Sequence, residues 1–431
     1  MWISFRAGRL LPLSSQRPIM DAPEILISFS RRSFPQMPRT LEALLGREDA
    51  ERIIEFRRDL HRHPEIGMDT ARTAEKLEAF LSTFPVDRVE RVEKNGVVAL
   101  IKGRAEGPMI GLRGDTDALP IQDETKNPWT SEVEKCAHLC GHDGHTAGAL
   151  ATALYLSKHR NFAGSVAVIF QPGEEGWAGA DLMIKDGLFK RFLCKEVYAI
   201  HGDPSHDIGT ILLQPGPMTA SVDIAYMTVE GRGGHGARPQ EAIDPMPAAA
   251  ELILTLQTIV SRRVDPNDSA VVSCCYVHAG DPLAPTVIPQ RVELSATIRT
   301  FDGKVRDLIE KRFNEITSGI GTTFGGVVKL DYQRRYPPQI NDEKLSLAAI
   351  DALKPVFGAG NVITNARPSM GGEDFAFMSE AVPGVYMKVG LRDEGHQAAL
   401  HNPGFDFNDL ALANSVEAFR AIVEARLPLK D

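Results

Sequence analysis

The sequence of 431 residues predicts an α/β protein in two parts: a mostly parallel sheet with helices between its strands, and an inserted ferredoxin-like βαββαβ module. Three observations predict it. The chain is longer than one hydrophobic core usually serves. Apolar, β-rich runs alternate with helical stretches and end repeatedly in polar clusters. Near Met218 the pattern then changes to strand, helix, strand, strand, helix, strand.

Taken along the chain, residues 1–39 carry Arg6, Arg9, Arg17, Arg31, Arg32 and Arg39 against only Asp21 and Glu24. Three readings compete here. A secretory signal needs a longer apolar stretch and a small-residue cleavage site; an Arg- and Ser-rich leader fits organellar targeting; a disordered extension ahead of a later start at Met20 or Met37 is the reading adopted. Folded sequence is expected from Thr40, where Leu41, Leu44, Leu45, Ile53, Ile54, Phe56 and Leu60 recur at helical spacing up to His61-Arg62-His63-Pro64. Strands are expected over 108–112, 166–170 and 197–200. They run into Arg113-Gly114-Asp115-Thr116-Asp117, Gln171-Pro172-Gly173-Glu174-Glu175 and His201, with a helix over 146–159. In such sheets ligands bind beyond the carboxyl ends of the strands, where these clusters fall.

The inserted module, residues 218–332, reads as strands over 222–230, 270–278, 291–300 and 326–332, with helices over 245–262 and 303–319. Residues 333–431 return to the first part, giving 40–217 plus 333–431 as the catalytic domain, with further tracts from Glu343, over 384–389 and over 409–427. A helix start is expected at Glu373.

Composition narrows the function. Net charge is −9 with both signs interspersed, which argues against a nucleic-acid partner, since such binding rests on a concentrated basic face. Even the tract 248–260 is interrupted by Glu251, Thr255, Gln257 and Thr258, so no membrane span is expected. Five cysteines scattered through a long chain do not resemble a secreted disulfide framework, and a reducing cytoplasm is the expected location. A small-molecule substrate fits these exclusions.

The densest chemical cluster is Cys136-Ala-His138-Leu-Cys140-Gly-His142-Asp143-Gly-His145. Thiolate and imidazole together suit Zn²⁺ or another borderline first-row ion, and in isolation the segment fits a zinc-stapled loop as well as a catalytic metal. Glu174-Glu175 on a Pro-Gly loop offers two carboxylates that can divide the roles of metal ligand and base. His201 and the distant His401 are each unremarkable alone; together, four such positions converging on one sheet edge point to a hydrolytic metal centre.

These segments, with Gly111-Leu-Arg-Gly-Asp-Thr-Asp-Ala-Leu-Pro120, Gly233-Gly-His-Gly-Ala-Arg-Pro239 and Gly371-Gly-Glu-Asp-Phe375, resemble the aminoacylase/hippurate hydrolase family of dimetal metallopeptidases. That family includes N-acyl-L-amino acid amidohydrolases and indole-3-acetyl-amino-acid hydrolases, and the resemblance runs from about Glu51 to Arg426. It implies two divalent ions per subunit (Zn²⁺ or Mn²⁺, with Co²⁺ or Ni²⁺ as further options) and amide hydrolysis of N-acyl amino acids. It also implies a homodimer or higher oligomer formed through the lid module. Position by position, Cys140 matches the metal-bridging residue. His142, Glu175, His201 and His401 match the other ligands, Glu174 the general base and Asp117 a carboxylate that orients a ligand. His235 matches a lid histidine that reaches the substrate oxyanion from the partner subunit. Cys136, His138 and His145 are expected to be supporting or incidental.

Two further assignments stay open. Gly371 and Gly372 either present N–H groups to a product carboxylate or simply begin a helix, and Arg299 either meets a carboxylate or sits in a surface ion pair. Thr286 stands where many relatives have Asn, which affects substrate contacts, and Gly114 stands where Ala is common, a change expected to be mild. A dipeptidase or aminopeptidase on the same centre, or a non-catalytic metal-binding protein, are the rival functions.

Overall fold

A computed structural model describes residues 39–429. The reading of residues 1–39 as an extension therefore falls, apart from Arg39, outside the described residues. Arg39 itself is held by Glu417, Nε to Oε1 2.6 Å.

Helices Leu41–Leu45 and Arg47–Arg62 bury Leu41, Leu44, Leu45, Ile53, Phe56 and Leu60 along the predicted stripe. They pack on helix His142–Lys158, which lies on a sheet of eight strands in the spatial order Arg88–Val92, Gly96–Lys102, Ala163–Gln171, Ala105–Asp115, Cys194–Asp207, Gly384–Arg392, Ile211–Leu212 and Val362–Ile363. The four central strands are mutually parallel. An antiparallel hairpin flanks them on one side, and Ile211–Leu212 runs antiparallel on the other. Helices cover both faces, so the central strands read as unbroken apolar runs rather than alternating ones. Val166, Val168 and Phe170 face one layer, while Ala167 and Ile169 face the other.

Helix His142–Lys158 is buried along nearly its whole length because Ala147, Gly148, Ala149, Ala151 and Ala153 let it lie close to the sheet. At Gly114 a Cβ would stand 2.7 Å from the His145 carbonyl oxygen and 3.1 Å from Ala149 Cβ. The glycine is thus part of how the helix docks, and exchange with alanine is not the mild change expected from sequence.

The inserted module forms a four-stranded antiparallel sheet in the order Ala270–Ala279, Arg291–Thr300, Val222–Glu230, Val327–Tyr336. In chain order that is 2-3-1-4, the ferredoxin-like arrangement. Helices Pro245–Arg262 and Gly303–Phe324 cover one face and share a core of Met227, Val229, Leu252, Leu256, Ile259, Ile298 and Phe313. Asp244 and Asp302 cap their first turns through side-chain oxygens. The second helix passes the expected end at 319 because Ile320 extends its buried stripe, and it stops at Gly325. The final strand runs on to Tyr336, past the boundary expected at 332. A short ladder between Gly216–Thr219 and Gln339–Asn341 ties together the two chain segments that enter and leave the module. Among the described residues no helix is long and apolar enough to cross a membrane.

Candidate metal centre

The carboxyl ends of the central strands gather the polar clusters. Asp115 ends one strand and Gln171 the next, and each hands over to a loop. His201 differs from expectation: its strand continues to Asp207, because Gly384–Arg392 pairs with it along that stretch. Pairing with Ala105–Asp115 nevertheless stops at Ala199, so His201 still emerges on the same edge. Cys140 and His142 flank Gly141, whose φ of +90° is open to glycine and costly for other residues. That left-handed turn begins the helix at His142 and brings both side chains into one group of potential ligands with His201.

The expected ligand atoms converge. Cys140, His142 and His201 form one group and Cys140, Glu175 and His401 a second; within each, the potential ligand atoms lie within 4.8 Å of one another. The two groups share the Cys140 thiol. Cys140 Sγ is 3.4 Å from His201 Nε2, and His401 Nε2 is 3.3 Å from Glu175 Oε1. His401 holds its ring there at a φ of +65°, a strained conformation of the kind that clusters at functional sites. Glu174 joins His142 and Glu175 in a third such group, with its Oε2 4.0 Å from His142 Nε2. The cavity measures about 550 Å³ and is also lined by Thr219, Val222, Ile224, Tyr336, Tyr386 and Lys388.

Asp117 organises this constellation. Its carboxylate accepts the backbone N–H of Glu174 at 2.9 Å and of Glu175 at 3.0 Å, while His142 Nδ1 lies 3.4 Å away. Protonation follows the crowding of acids. Glu174 is raised well above the ordinary carboxyl range, first by burial and then by Glu373, Glu175 and Asp374. His142 is raised although burial opposes it, through Asp115 and the Cys140 thiol. His401 is pushed up to about 10, chiefly by the Cys140 thiol and the Glu175 carboxylate beside it. His201 is lowered well below its usual value by burial and by His145, which leaves it a neutral imidazole with a free lone pair.

Sequence reasoning missed the scaffold behind these residues. His145 is not part of either Cys140 group: its Nε2 accepts the Gly202 N–H at 2.7 Å and its Nδ1 faces Asp115 Oδ1 at 2.6 Å, which fixes the Nδ1–H tautomer. The ring thereby locks the strand beside His201. Arg113, fully buried, ties Asp115 (2.6 Å), Gln171 (2.8 Å), Glu373 (3.0 Å) and Asp374 (3.1 Å) into one network. Asp143 turns to His61 Nδ1 at 2.8 Å and Arg57 Nε at 3.7 Å, so of the Cys140-Gly141-His142-Asp143 segment only Cys140 lines the cavity, with His142 buried behind it in the same ligand group. Cys136 and His138 are buried outside every candidate group, as expected. The sequence signal that bears on this scaffold is the His61-Arg62-His63-Pro64 segment, whose His61 meets Asp143.

Three expectations fare differently. His235 is exposed on the two-residue strand Gly234–His235 and lies outside this cavity, opposite Val287 and next to the loop of Thr286. Among the described residues Arg299 forms no ion pair; it is half-buried, and its Nη1 donates to Thr297 Oγ1 and to the Ile298 carbonyl at 2.9 Å. Gly371 and Gly372 both line this cavity. The helix begins at Phe375, not Glu373, because Asp374 sits at its N-cap, held by Arg113 and Gln171. The Gly371 N–H is taken by Ser369 Oγ at 3.0 Å, and a Cβ on Gly372 would meet Val222 Cγ2 at 2.3 Å, so packing calls for glycine at 372.

The profile of peptidase family M20/M25/M40 matches residues 111–425, a span that holds every residue of the cavity's metal-binding groups. The chain belongs to this family. Curated relatives agree: Campylobacter jejuni hippurate hydrolase is 38% identical over 375 residues, 87% of this chain and 95% of that protein. Bacillus subtilis N-acetylcysteine deacetylase is 35% identical over 370 residues, 85% of this chain and 95% of the relative. An Arabidopsis thaliana IAA-amino acid hydrolase is 30% identical over 410 residues, 93% and 89%. A solved Bacillus subtilis dinuclear metal-binding peptidase of the M20 family superposes with a TM-score of 0.76 at 33% identity, covering 88% of this chain and 98% of that one. This M20 chain is a metal-dependent amidohydrolase, and its α/β architecture is that of its structural neighbours.

Proposed function

We propose that this M20 enzyme hydrolyses the amide bond of N-acyl amino acids with two divalent cations, zinc or manganese, Cys140 being common to both. The observation that carries the proposal is the pair of potential ligand groups meeting at one thiol beside Glu174. The residues fit cations. Both ring nitrogens of buried His142 lack a hydrogen-bond partner, and the Glu175 Oε1 approach to His401 is without hydrogen-bond geometry. Buried polar atoms are rarely left so, and acids and thiol crowded together need positive charge. The donor set of thiol, imidazole and carboxylate suits borderline first-row ions. His142 and His201 would complete one site with Cys140, and Glu175 and His401 the other.

When bound, such ions polarise the scissile carbonyl and make water a better nucleophile near neutral pH. The protein's own part is proton handling and orientation. Glu174, with proton affinity raised by burial and neighbouring acids, takes a proton from the attacking water and returns it to the leaving amine. Asp117 holds its backbone in place. His235, exposed and outside its own cavity, would serve a partner subunit's oxyanion from a lid-to-lid dimer, a contribution of about 3 kcal/mol for such a donor. Arg299 anchors the substrate carboxylate. Thr300 is bonded to Ser221 and Ile298 pairs with Asp223, which sets Arg299 opposite Val222 on the sheet face that carries Val222 and Ile224 to the cavity. The domain division is read on the same basis, with the four-stranded module as lid and the eight-stranded sheet as catalytic part. The five free thiols support a cytoplasmic location.

The test is a substrate panel on protein reconstituted with Zn²⁺ or Mn²⁺: hippurate, N-acetyl amino acids and dipeptides. Turnover of N-acyl amino acids above dipeptides is expected. Turnover of dipeptides alone, or none of any class with metal bound, would overturn the reading.

A further inference from the structure

The loop that bears Glu174 is gripped from two sides. From the large sheet, Asp117 takes the N–H groups of Glu174 and Glu175. From the lid, the hydroxyl of Tyr336 donates to the Glu174 carbonyl oxygen at 2.5 Å and accepts from Gly176 N at 2.8 Å and Ala178 N at 3.3 Å. Tyr336 is the last residue of the lid strand Val327–Tyr336, pairs with Val222 where the chain enters the module, and lines the cavity. Its side chain is buried, with its ring edge-on to Phe377 at 6.0 Å between centroids. One phenol therefore satisfies three backbone groups of the loop, using its single donor and both acceptor positions.

We propose that Tyr336 is a positioning residue: its hydroxyl holds the Glu174 backbone from the lid strand, so that the placement of the base and the placement of the lid are one structural state. Two consequences follow from the geometry. With the phenol lost, Glu175 keeps its N–H on Asp117 and its carboxylate beside His401, whereas the Glu174 carbonyl loses its side-chain donor. The substrate's contacts with Arg299 lie on another strand of the lid and are untouched. The proposal rests on the reading of Glu174 as general base.

The experiment uses the full chain loaded with Mn²⁺ and hippurate as substrate, comparing wild type with Tyr336→Phe, Phe377→Leu and Glu174→Gln. A base displaced by about 1 Å loses on the order of a hundredfold in rate. Tyr336→Phe, which keeps the ring, should lower kcat about ten- to a hundredfold, with KM within twofold of wild type and metal content unchanged. Phe377→Leu, which disturbs the ring's packing and keeps the hydroxyl, should leave kcat within about threefold. A Tyr336→Phe enzyme with wild-type kcat overturns the proposal. So does a loss that comes with lost metal, with raised KM, or with an equal loss in Phe377→Leu. If Glu174→Gln turns over normally, the base assignment itself fails, an outcome separate from the Tyr336 result.

Discussion

Replacing Asp117 by asparagine separates orientation from ligation. The carboxylate accepts two backbone N–H groups, from Glu174 at 2.9 Å and Glu175 at 3.0 Å, and sits 3.4 Å from His142 Nδ1. Hydrogen bonds to a charged acceptor contribute about 1.5–3 kcal/mol each. Asparagine keeps one oxygen, loses the negative charge, and turns an NH₂ group toward a donor, so about one such bond is lost and the other weakened. At about 1.4 kcal/mol per tenfold, kcat/KM should fall roughly ten- to a hundredfold. Partners that orient metal ligands change metal affinity by about the same factor. The assay is hippurate hydrolysis at saturating Mn²⁺, paired with a metal titration of the same protein. Wild-type kcat/KM together with wild-type metal affinity would refute the role given to Asp117.

Arg299→Ala should raise KM for N-acyl amino acids about tenfold or more while leaving kcat within a few-fold. An N-acyl amine that lacks the carboxylate should not distinguish variant from wild type, and a comparable loss with it would count against the anchor. A second effect concerns stability. Burial disfavours the charged His61 ring, but Asp143 and Asp123 outweigh it and raise its pKa to about 9 from 6.5. A raised folded pKa means this contribution is complete below about pH 6.5 and is lost as pH rises through 9, on the order of 3 kcal/mol in all. Denaturant unfolding at pH 6 and pH 9.5 should therefore show wild type and His61→Asn far apart at the lower pH and converging at the higher one; a constant gap would contradict the coupling.

What was legible in the sequence had a local cause. The helices and strands of the inserted module repeat at clean periods of 3.6 and 2, and the strand over 222–230, the helix over 245–262 and the strand over 291–300 appear with the expected bounds. The meeting of Glu174, Glu175 and His201 followed from polar residues at the ends of buried strands, a consequence of topology, while Cys140, His142 and His401 were joined to them by the family resemblance. The failures were tertiary. Nothing near Asp143 announces that it faces Arg57 and His61 across the core, and nothing near His145 says its ring bonds Gly202. The helix start expected at Glu373 falls instead at Phe375, because Asp374, held by Arg113 and Gln171 from distant strands, takes the N-cap. Tyr336 escaped notice because its importance lies in one hydroxyl and three distant backbone atoms.

The central claim is a metal-assisted hydrolysis in which Glu174 moves the proton. Its most direct test is Glu174→Gln with metal content and turnover measured on the same sample. The account predicts two ions per chain, as in wild type, and a kcat for N-acyl amino acid hydrolysis lowered by about a hundredfold or more. A variant that binds two ions and turns over at the wild-type rate would contradict it.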